Sequence, residues 1–392
     1  MEGILEKSAV CPHFRVCGGC TFQDVPYDVQ RERKRAEVAA LLEPLQPDAP
    51  VEPVVPSPVV WHYRNKMEFA VGSGREGIVA GLRRKNAFQR IVNLTECRIF
   101  HPDTGALLDA VRAWVAAAGW EPYDMVRRTG TVRYVAMRHA KATGALMVEL
   151  VVTGSSATLD AGRRVLEDFA DRVQSVAPVR SVYVCINNKQ SDNALTDDLS
   201  LIRGDDCIVE TVNGVRCEVR PQTFLQTNTA CCEVLYRTVC ELVGDGDVLD
   251  LYCGSGGITL QLARPGRKVI GVDSVPANIA AARANAVLNG SVGCEFVAAP
   301  AEEFIHRLGH SQFANGMETI VVDPPRAGLS KRVRAAVAEA GVGRIVYVSC
   351  NPESLAGDLQ TFMRFYRITR IVPVDMFPHT RHVETIAVLE HR

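Results

Sequence analysis

The stretch VLDLYCGSGGITLQLA, residues 248–263, reads as a strand that ends in a glycine loop and opens directly into a helix. Gly254, Gly256 and Gly257 allow the tight turn, and the first amides of the helix are left free to face a ligand. A dinucleotide fingerprint wants a third glycine where Thr259 stands, which counts against a nicotinamide cofactor. Outward from this turn the same unit repeats. KVIGVDS (268–274), CEFVAA (294–299), ETIVVDPPR (318–326), RIVYVSCNP (344–352) and ETIAVLE (384–390) are near-continuous apolar runs separated by helical ones. Such runs, buried on both faces, build a parallel doubly wound sheet, so the fold class is α/β over residues 219–392.

Ligands of an open α/β sheet bind outside the carboxyl ends of its strands. Asp273 ends its strand where an acid can accept hydrogen bonds from both hydroxyls of a ribose, which suits NAD and S-adenosylmethionine equally. Asp323 with its two prolines, and Cys350 before Asn351-Pro352, stand at the same edge, and neither has a use in hydride transfer. Amine methyltransferases place an aromatic after the two prolines to stack a base; here that residue is Arg326.

Two regions precede this domain. Residues 1–60 hold a cysteine head, CPHFRVCGGC (11–20), a charged helical stretch from Val25 to about Leu45, and EPLQPDAPVEPVVPSPVV (43–60), whose six prolines exclude a helix or a central strand and mark a linker or an extended wrap. Residues 61–218 alternate short strands with helices, as in a compact α+β domain.

The chain has 392 residues, 47% hydrophobic content and a formal net charge of -1, which excludes disorder and a uniformly basic protein. Its charge is local. Trp61 to Phe100 carries eight Lys/Arg against three acids, and residues 127–141 add Arg127, Arg128, Arg133, Arg138 and Lys141 with no acid. Such clusters neutralise phosphates or form a solvated face. No window approaches the ~18 apolar residues of a membrane span, and no signal peptide is evident, so a cytoplasmic protein without a membrane partner is expected. Thirteen cysteines in that compartment point to metal or catalysis rather than disulfides. Cys11, Cys17 and Cys20, with Cys97 as a fourth thiolate, could hold zinc or a 4Fe-4S cluster, and spacing alone does not choose.

The motifs CPHFRVCGGC (11–20), YRNKMEFAVG (63–72), RPQTFLQTN (220–228), DLYCGSGG (250–257), DPPRAGL (323–329), YVSCNP (347–352) and DMFPHTRHVET (375–385), in this order over nearly the whole chain, resemble those of the RNA uracil-C5 methyltransferases. The resemblance implies a Rossmann-like, S-adenosylmethionine-dependent methyltransferase domain, a central α+β RNA-binding domain and an N-terminal iron-sulfur head. It implies Cys350 as the nucleophile that adds to uracil C6 and Glu384 as the acceptor of the C5 proton. It places Gln226, Tyr252, Gly254, Gly256, Asp273 and Asp323 at the cofactor, and Phe224 and Asp323 at the target base. Cys11, Cys17, Cys20 and Cys97 become ligands of a 4Fe-4S cluster with a structural role.

Pro300 departs from the family pattern, in which many relatives have an acid or amide that contacts adenine. Arg64 and Lys66, with the two basic clusters, are candidate RNA contacts. A form without the small β-barrel RNA-binding domain (TRAM) of several relatives is expected. A monomer acting on 23S rRNA is expected, because the familiar bacterial tRNA enzyme lacks the cluster cysteines; the alternatives are a T-loop uridine of tRNA, an amino-group methyltransferase, which would not need Cys350, and a non-catalytic iron-sulfur RNA-binding protein.

Overall fold

The computed structural model describes residues 11–75, 77–190, 198–221, 223–313 and 316–392. Residues 1–10 of the predicted head, and Glu76 of the first basic stretch, lie outside them. The chain divides into two compact units, one built from residues up to Val25 with Val60–Glu210 and Glu218–Gln222, the other from Pro26–Val59, Thr211–Cys217 and Thr223–Arg392.

The predicted head and linker, 1–60, are thus shared between the units. Helix α1 (Tyr27–Leu42) buries Val38 and Leu42 in the core of the second unit. The proline-rich segment runs beside a strand of the same unit, Tyr366–Val374: Glu52 N donates to Ile371 O at 3.0 Å and Val55 N to Pro373 O at 2.8 Å. Prolines are tolerated there because an extended strap needs only every other amide for pairing. The sequence reading of an extended wrap describes this segment; grouping it with the cysteines does not, because its apolar residues find their core elsewhere.

In the first unit a seven-stranded sheet is formed from β1 (Lys66–Gly74), β2 (Gly77–Arg84), β3 (Ala87–Asn93), β4 (Val132–His139), β5 (Leu146–Val152), β6 (Val179–Ile186) and β7 (Asp198–Gly204), in the order β3-β2-β1-β4-β5-β6-β7. Helices α2 (Thr104–Ala118), α3 (Ser156–Ala161) and α4 (Arg163–Val176) belong to it, and Trp114 of α2 meets Phe169 of α4 edge to face. Among these apolar strands Arg138 and Glu149 form a buried cross-strand ion pair at 2.7 Å. A short hairpin, β8 (Ile208–Val212) and β9 (Val215–Val219), follows.

The second unit holds the parallel sheet expected from the sequence. Its strands are β10 (Asp247–Leu251), β11 (Val269–Asp273), β12 (Cys294–Ala298), β13 (Met317–Val322), β14 (Arg344–Ser349), β15 (Tyr366–Val374) and β16 (Glu384–His391), ordered β12-β11-β10-β13-β14-β16-β15. Five, β10 to β14, pair in parallel, and β16 runs antiparallel between β14 and β15, which point the same way. Helices α5 (Thr229–Leu242), α6 (Gly257–Leu262), α7 (Pro276–Asn289), α8 (Ala301–Phe313), α9 (Lys331–Glu339) and α10 (Pro352–Phe362) connect them. Caps fix several starts: the side chain of Asn228 accepts from Cys231 N, that of Ser330 from Val333 N, and that of Asn351 from Glu353 N. Among the described residues no helix is long and apolar enough to cross a membrane.

Candidate active site

The strand order brings the expected residues to one edge of the sheet. Leu251 pairs with Val322 and Val322 with Tyr347. Tyr252, Asp323 and Cys350 therefore follow neighbouring strands at their carboxyl ends, with Asp273 closing β11 on the other side of β10. The sheet reverses its order of winding between β10 and β13, the point at which such folds bind ligands. On β16 the register sets Thr385 opposite Ser349. Glu384, one residue earlier on β16, pairs with Val374 of β15 and lies near enough to Cys350 to act on its thiol.

At the glycine turn Gly256 has φ 87° and caps α6, and Gly254 has φ 55°, both in the left-handed region that favours glycine. Tyr252 takes φ 64° without being glycine, a strained backbone of the kind that concentrates at ligand sites. Gly254 N donates to Asp273 Oδ2 at 3.1 Å, while Asp273 Oδ1 accepts from Val275 N at 2.8 Å and Asn278 Nδ2 at 3.2 Å. The carboxylate is thereby fixed at the strand tip with lone pairs to spare. Thr259, at the place of the missing glycine, serves the core beneath the turn. Its Oγ1 donates at 2.5 Å to Asp250, a fully buried carboxyl that burial pushes up to about 7. Phe224, Tyr252, Gly254 and Asp323 line one cleft, and Phe224 is exposed. Gln226 Nε2 donates to Asp323 Oδ2 at 3.3 Å. Pro300 is exposed just before α8.

Asp323, Glu384 and Cys350 share one electrostatic environment. Burial pushes Asp323 up to about 7, opposed by the Gln226 hydrogen bond. Burial and then Asp323 push Glu384 up to about 8, opposed by Arg326. Glu384 is 2% exposed and its Oε2 has no hydrogen-bond partner, a costly arrangement for a purely structural carboxyl. The Cys350 thiol, half-buried, is pushed up to about 11 by burial, Glu384 and Asp323, against Arg326. It also lies one residue before the cap of α10, where the positive helix end favours a thiolate.

Arg326 thus acts on both candidate groups, whereas the sequence marked it only as a departure from the amine-methyltransferase pattern. Its backbone carbonyl accepts from Asn351 Nδ2 at 3.3 Å, and its guanidinium lies 3.4 Å from His382 Nδ1. The loop that carries it is tied down by buried Asp358, which accepts from Leu329 N at 2.7 Å, Arg334 Nη1 at 2.7 Å and Tyr347 Oη at 2.6 Å. No motif signalled Asp358.

The remaining candidates belong to the first unit. Lys66 Nζ pairs with Glu68 at 2.7 Å, and Arg64 donates to Met67 Sδ at 3.7 Å and lies near Cys20. Cys11, Cys17, Cys20 and Cys97 are all buried. The head is tied to β2 by Gly18 N donating to Arg83 O at 3.0 Å, and His13 Nε2 accepts from Thr95 N at 3.0 Å near Cys97. Burial and the neighbouring cysteines push Cys97 up to about 12 and Cys20 up to about 11, with the Gln23 side chain opposing at Cys20. The donor set has the chemistry of a thiolate-held metal group. Among the described residues, however, no three His, Cys, Asp or Glu side chains are arranged to hold a metal ion.

A class I methyltransferase sheet, with an acid at the tip of the second strand and a cysteine and a glutamate at the adjoining ends of β14 and β16, defines the class. Known proteins give the family. The model of the tRNA (uracil-5-)-methyltransferase family matches residues 205–392. An uncharacterised RNA methyltransferase from Caldanaerobacter subterraneus is 33% identical over 98% of this chain and 85% of its own length, and one from Halalkalibacterium halodurans is 34% identical over 97% and 83%. The crystal structure of the Pyrococcus abyssi tRNA (uracil-54, C5)-methyltransferase in complex with S-adenosyl-L-homocysteine is 33% identical, with a TM-score of 0.77, over 95% of this chain and 86% of that one. The chain belongs to the S-adenosylmethionine-dependent RNA uracil-C5 methyltransferases.

Proposed function

We propose that Cys350 and Glu384 carry the methylation of C5 of one uridine in 23S rRNA, in the cytoplasm. The observation behind this reading is the pairing of β14 with β16, which brings the end of β14, just before Cys350, to the start of β16 at Glu384, a buried carboxyl whose Oε2 has no hydrogen-bond partner. Uracil C5 is a weak nucleophile. Addition of the Cys350 thiolate to C6 forms an S–C6 bond and moves the C5–C6 π electrons into an enolate, whose C5 can attack an electrophile. S-adenosylmethionine supplies that electrophile as a methyl group, and Gly254, Gly256, Tyr252 and Asp273 are the residues to hold it. Glu384 then takes the C5 proton, the C5–C6 double bond reforms, and the S–C6 bond breaks. Asp323, held by Gln226, and exposed Phe224 orient the ring.

Cys11, Cys17, Cys20 and Cys97 are proposed to hold a 4Fe-4S cluster that fixes the head on the first unit. Burial of the four thiols and the electrostatic coupling of Cys97 to Cys20, Cys17 and Cys11 speak for the ligand set, although among the described residues no three of these side chains are arranged to hold a metal ion, and no step of methyl transfer passes through it. Iron with acid-labile sulfide in the purified protein supports the cluster; one zinc per chain without sulfide overturns it in favour of zinc.

The choice of 23S rRNA as substrate rests on the cysteine head. The solved archaeal relative, a tRNA (uracil-54, C5)-methyltransferase, favours tRNA as a second reading. Both are tested with 5-fluorouridine-substituted 23S rRNA and tRNA transcripts. Fluorine cannot leave C5 as a proton, so the adduct on Cys350 survives denaturation. An adduct with one RNA, lost in Cys350→Ala, supports the mechanism and names the substrate; none with either, in protein that binds S-adenosylmethionine, overturns the assignment.

A further inference from the structure

In the first unit a cavity of about 550 Å³ opens between β1, β3 and the loop before β4, within the size range of small-molecule sites. Its lining joins the two basic stretches of the sequence: Arg83 and Arg90 come from the first and Arg133 from the second. Asp124 is the acid in this lining, and its carboxylate is turned to its own loop, accepting from Val126 N at 2.8 Å and Arg127 N at 3.0 Å.

Aromatic rings are interleaved with these cations. The Arg83 guanidinium lies 5.2 Å from the ring centre of Phe88, and that of Arg133 lies 4.8 Å from Tyr123. Phe88 is nevertheless 58% exposed, which for a phenylalanine in a strand leaves a large apolar face in water. Arg133 is anchored by donating to Asn187 O at 2.6 Å and Lys189 O at 2.7 Å, so its charge is fixed at the cavity wall. Gly72 in the lining lets the Ile91 side chain pack close: a Cβ there would come within 2.6 Å of Ile91 Cδ1. Beside the cavity, Arg127, with its side chain 82% exposed, lies 3.9 Å from Asp124 Oδ2.

A cationic wall with an exposed ring beside an open cavity is the pattern that takes an unpaired base on its π face and the adjoining phosphates on guanidinium groups. We propose that this cavity binds an unpaired nucleotide of the substrate RNA other than the methylated uridine, its base stacked on Phe88 and its phosphates on Arg90 and Arg127. The inference rests on the RNA-substrate reading and adds a second point of recognition, which would select RNAs having a single-stranded nucleotide at a fixed distance from the target.

The test uses the full chain, a fluorescein-labelled oligouridylate, and its duplex with oligoadenylate, with binding followed by anisotropy at several salt concentrations. Phe88→Ala should weaken binding of the single strand by about five- to hundredfold and leave the duplex unchanged, whereas Phe88→Trp should preserve both. Arg90→Ala should weaken both RNAs and reduce the salt slope by about one counterion. Phe88 is exposed, so these variants fold. Single-strand affinity unchanged in Phe88→Ala, or a loss confined to the arginine variant, overturns the nucleotide pocket and leaves only a cationic face. Adducts with 5-fluorouridine RNA are measured in parallel. A wild type that forms none, while Phe88→Ala still loses oligouridylate binding, removes the uracil chemistry and leaves the pocket standing.

Discussion

If Glu384 takes the C5 proton, as proposed, its carboxyl sets the pH at which the covalent intermediate is released. Burial and Asp323 push it up to about 8 from the ordinary 4.5. The acceptor of the C5 proton must be the carboxylate, which at that pKa is about one-tenth of the population at pH 7, half at pH 8 and nine-tenths at pH 9. Release should therefore quicken about tenfold from pH 7 to 9, with a slope near one per pH unit on the acid side.

Thiol ionisation rises over the same range, because Cys350 is pushed up to about 11, so turnover alone mixes the two groups. Two RNAs separate them. Adduct formation on 5-fluorouridine RNA requires the thiolate and no removal of a C5 proton, whereas turnover on uridine RNA requires both. The ratio of the two rates, taken between pH 6 and 9.5, should titrate near 8. Glu384→Gln should form the adduct with ordinary uridine RNA and hold it. It should also form it at lower pH than the wild type, because the carboxylate that raises the thiol is gone. A ratio independent of pH, or a Glu384→Gln protein that turns over uridine RNA, refutes the assignment of the base.

Three further outcomes follow from the second unit. Arg326→Ala removes the cation that opposes the rise of both Cys350 and Glu384, so both pH profiles should move to higher pH, read from the same two rates. Asp250 ionises less readily folded than unfolded, at about 7 against 3.8, so its contribution to stability is complete below 3.8 and is lost as pH rises through 7. Urea midpoints should record a loss of up to ~1.4 kcal/mol per pH unit between those values, and Asp250→Asn should flatten the dependence and be the more stable protein at pH 8. Lys34 and Asp375 form a buried ion pair at 2.6 Å, so Lys34→Ala leaves an unpaired carboxylate and should cost roughly 3–5 kcal/mol in urea unfolding, of which the double variant Lys34→Met with Asp375→Asn should recover a large part.

The positions of Cys350, Asp323 and Asp273 at one edge of the sheet were legible because each stands at the end of an apolar run of five or six residues, and the fold fixes which edge such residues reach; the role proposed for Cys350 came from its motif. Glu384 was legible only through its motif. A glutamate at a strand start is ordinarily a solvated cap; here β16 enters between β14 and β15, and burial follows from that insertion. The division of residues 1–60 was not legible, since what assigns α1 and the proline strap to the second unit is contact with residues hundreds of positions away. Lys34 meets Asp375 across 341 residues, and Gln30 holds His379, donating from Nε2 to Nδ1 at 3.2 Å while its Oε1 accepts from His379 N at 2.9 Å.

These pairs bear on the chemistry as well as on the fold. The segment from Asp375 to Val383 leads into Glu384, and His379 within it adopts φ 66°, a conformation that the two hydrogen bonds with Gln30 stabilise against relaxation. Lys34 adds a bond to Phe377 O at 3.0 Å. A helix that sequence reading attached to the iron-sulfur head therefore holds the loop before the proposed base. Since Glu384 pairs with Val374 of β15 and the next residue, Thr385, with Ser349 of β14, loosening this clamp should disturb the approach of substrate more than the pKa of the carboxyl. A mild variant such as Gln30→Ala should thus raise KM for RNA while leaving the ratio of turnover to adduct formation titrating near 8; a shift of that titration would mean that the clamp helps to set the burial of Glu384 itself.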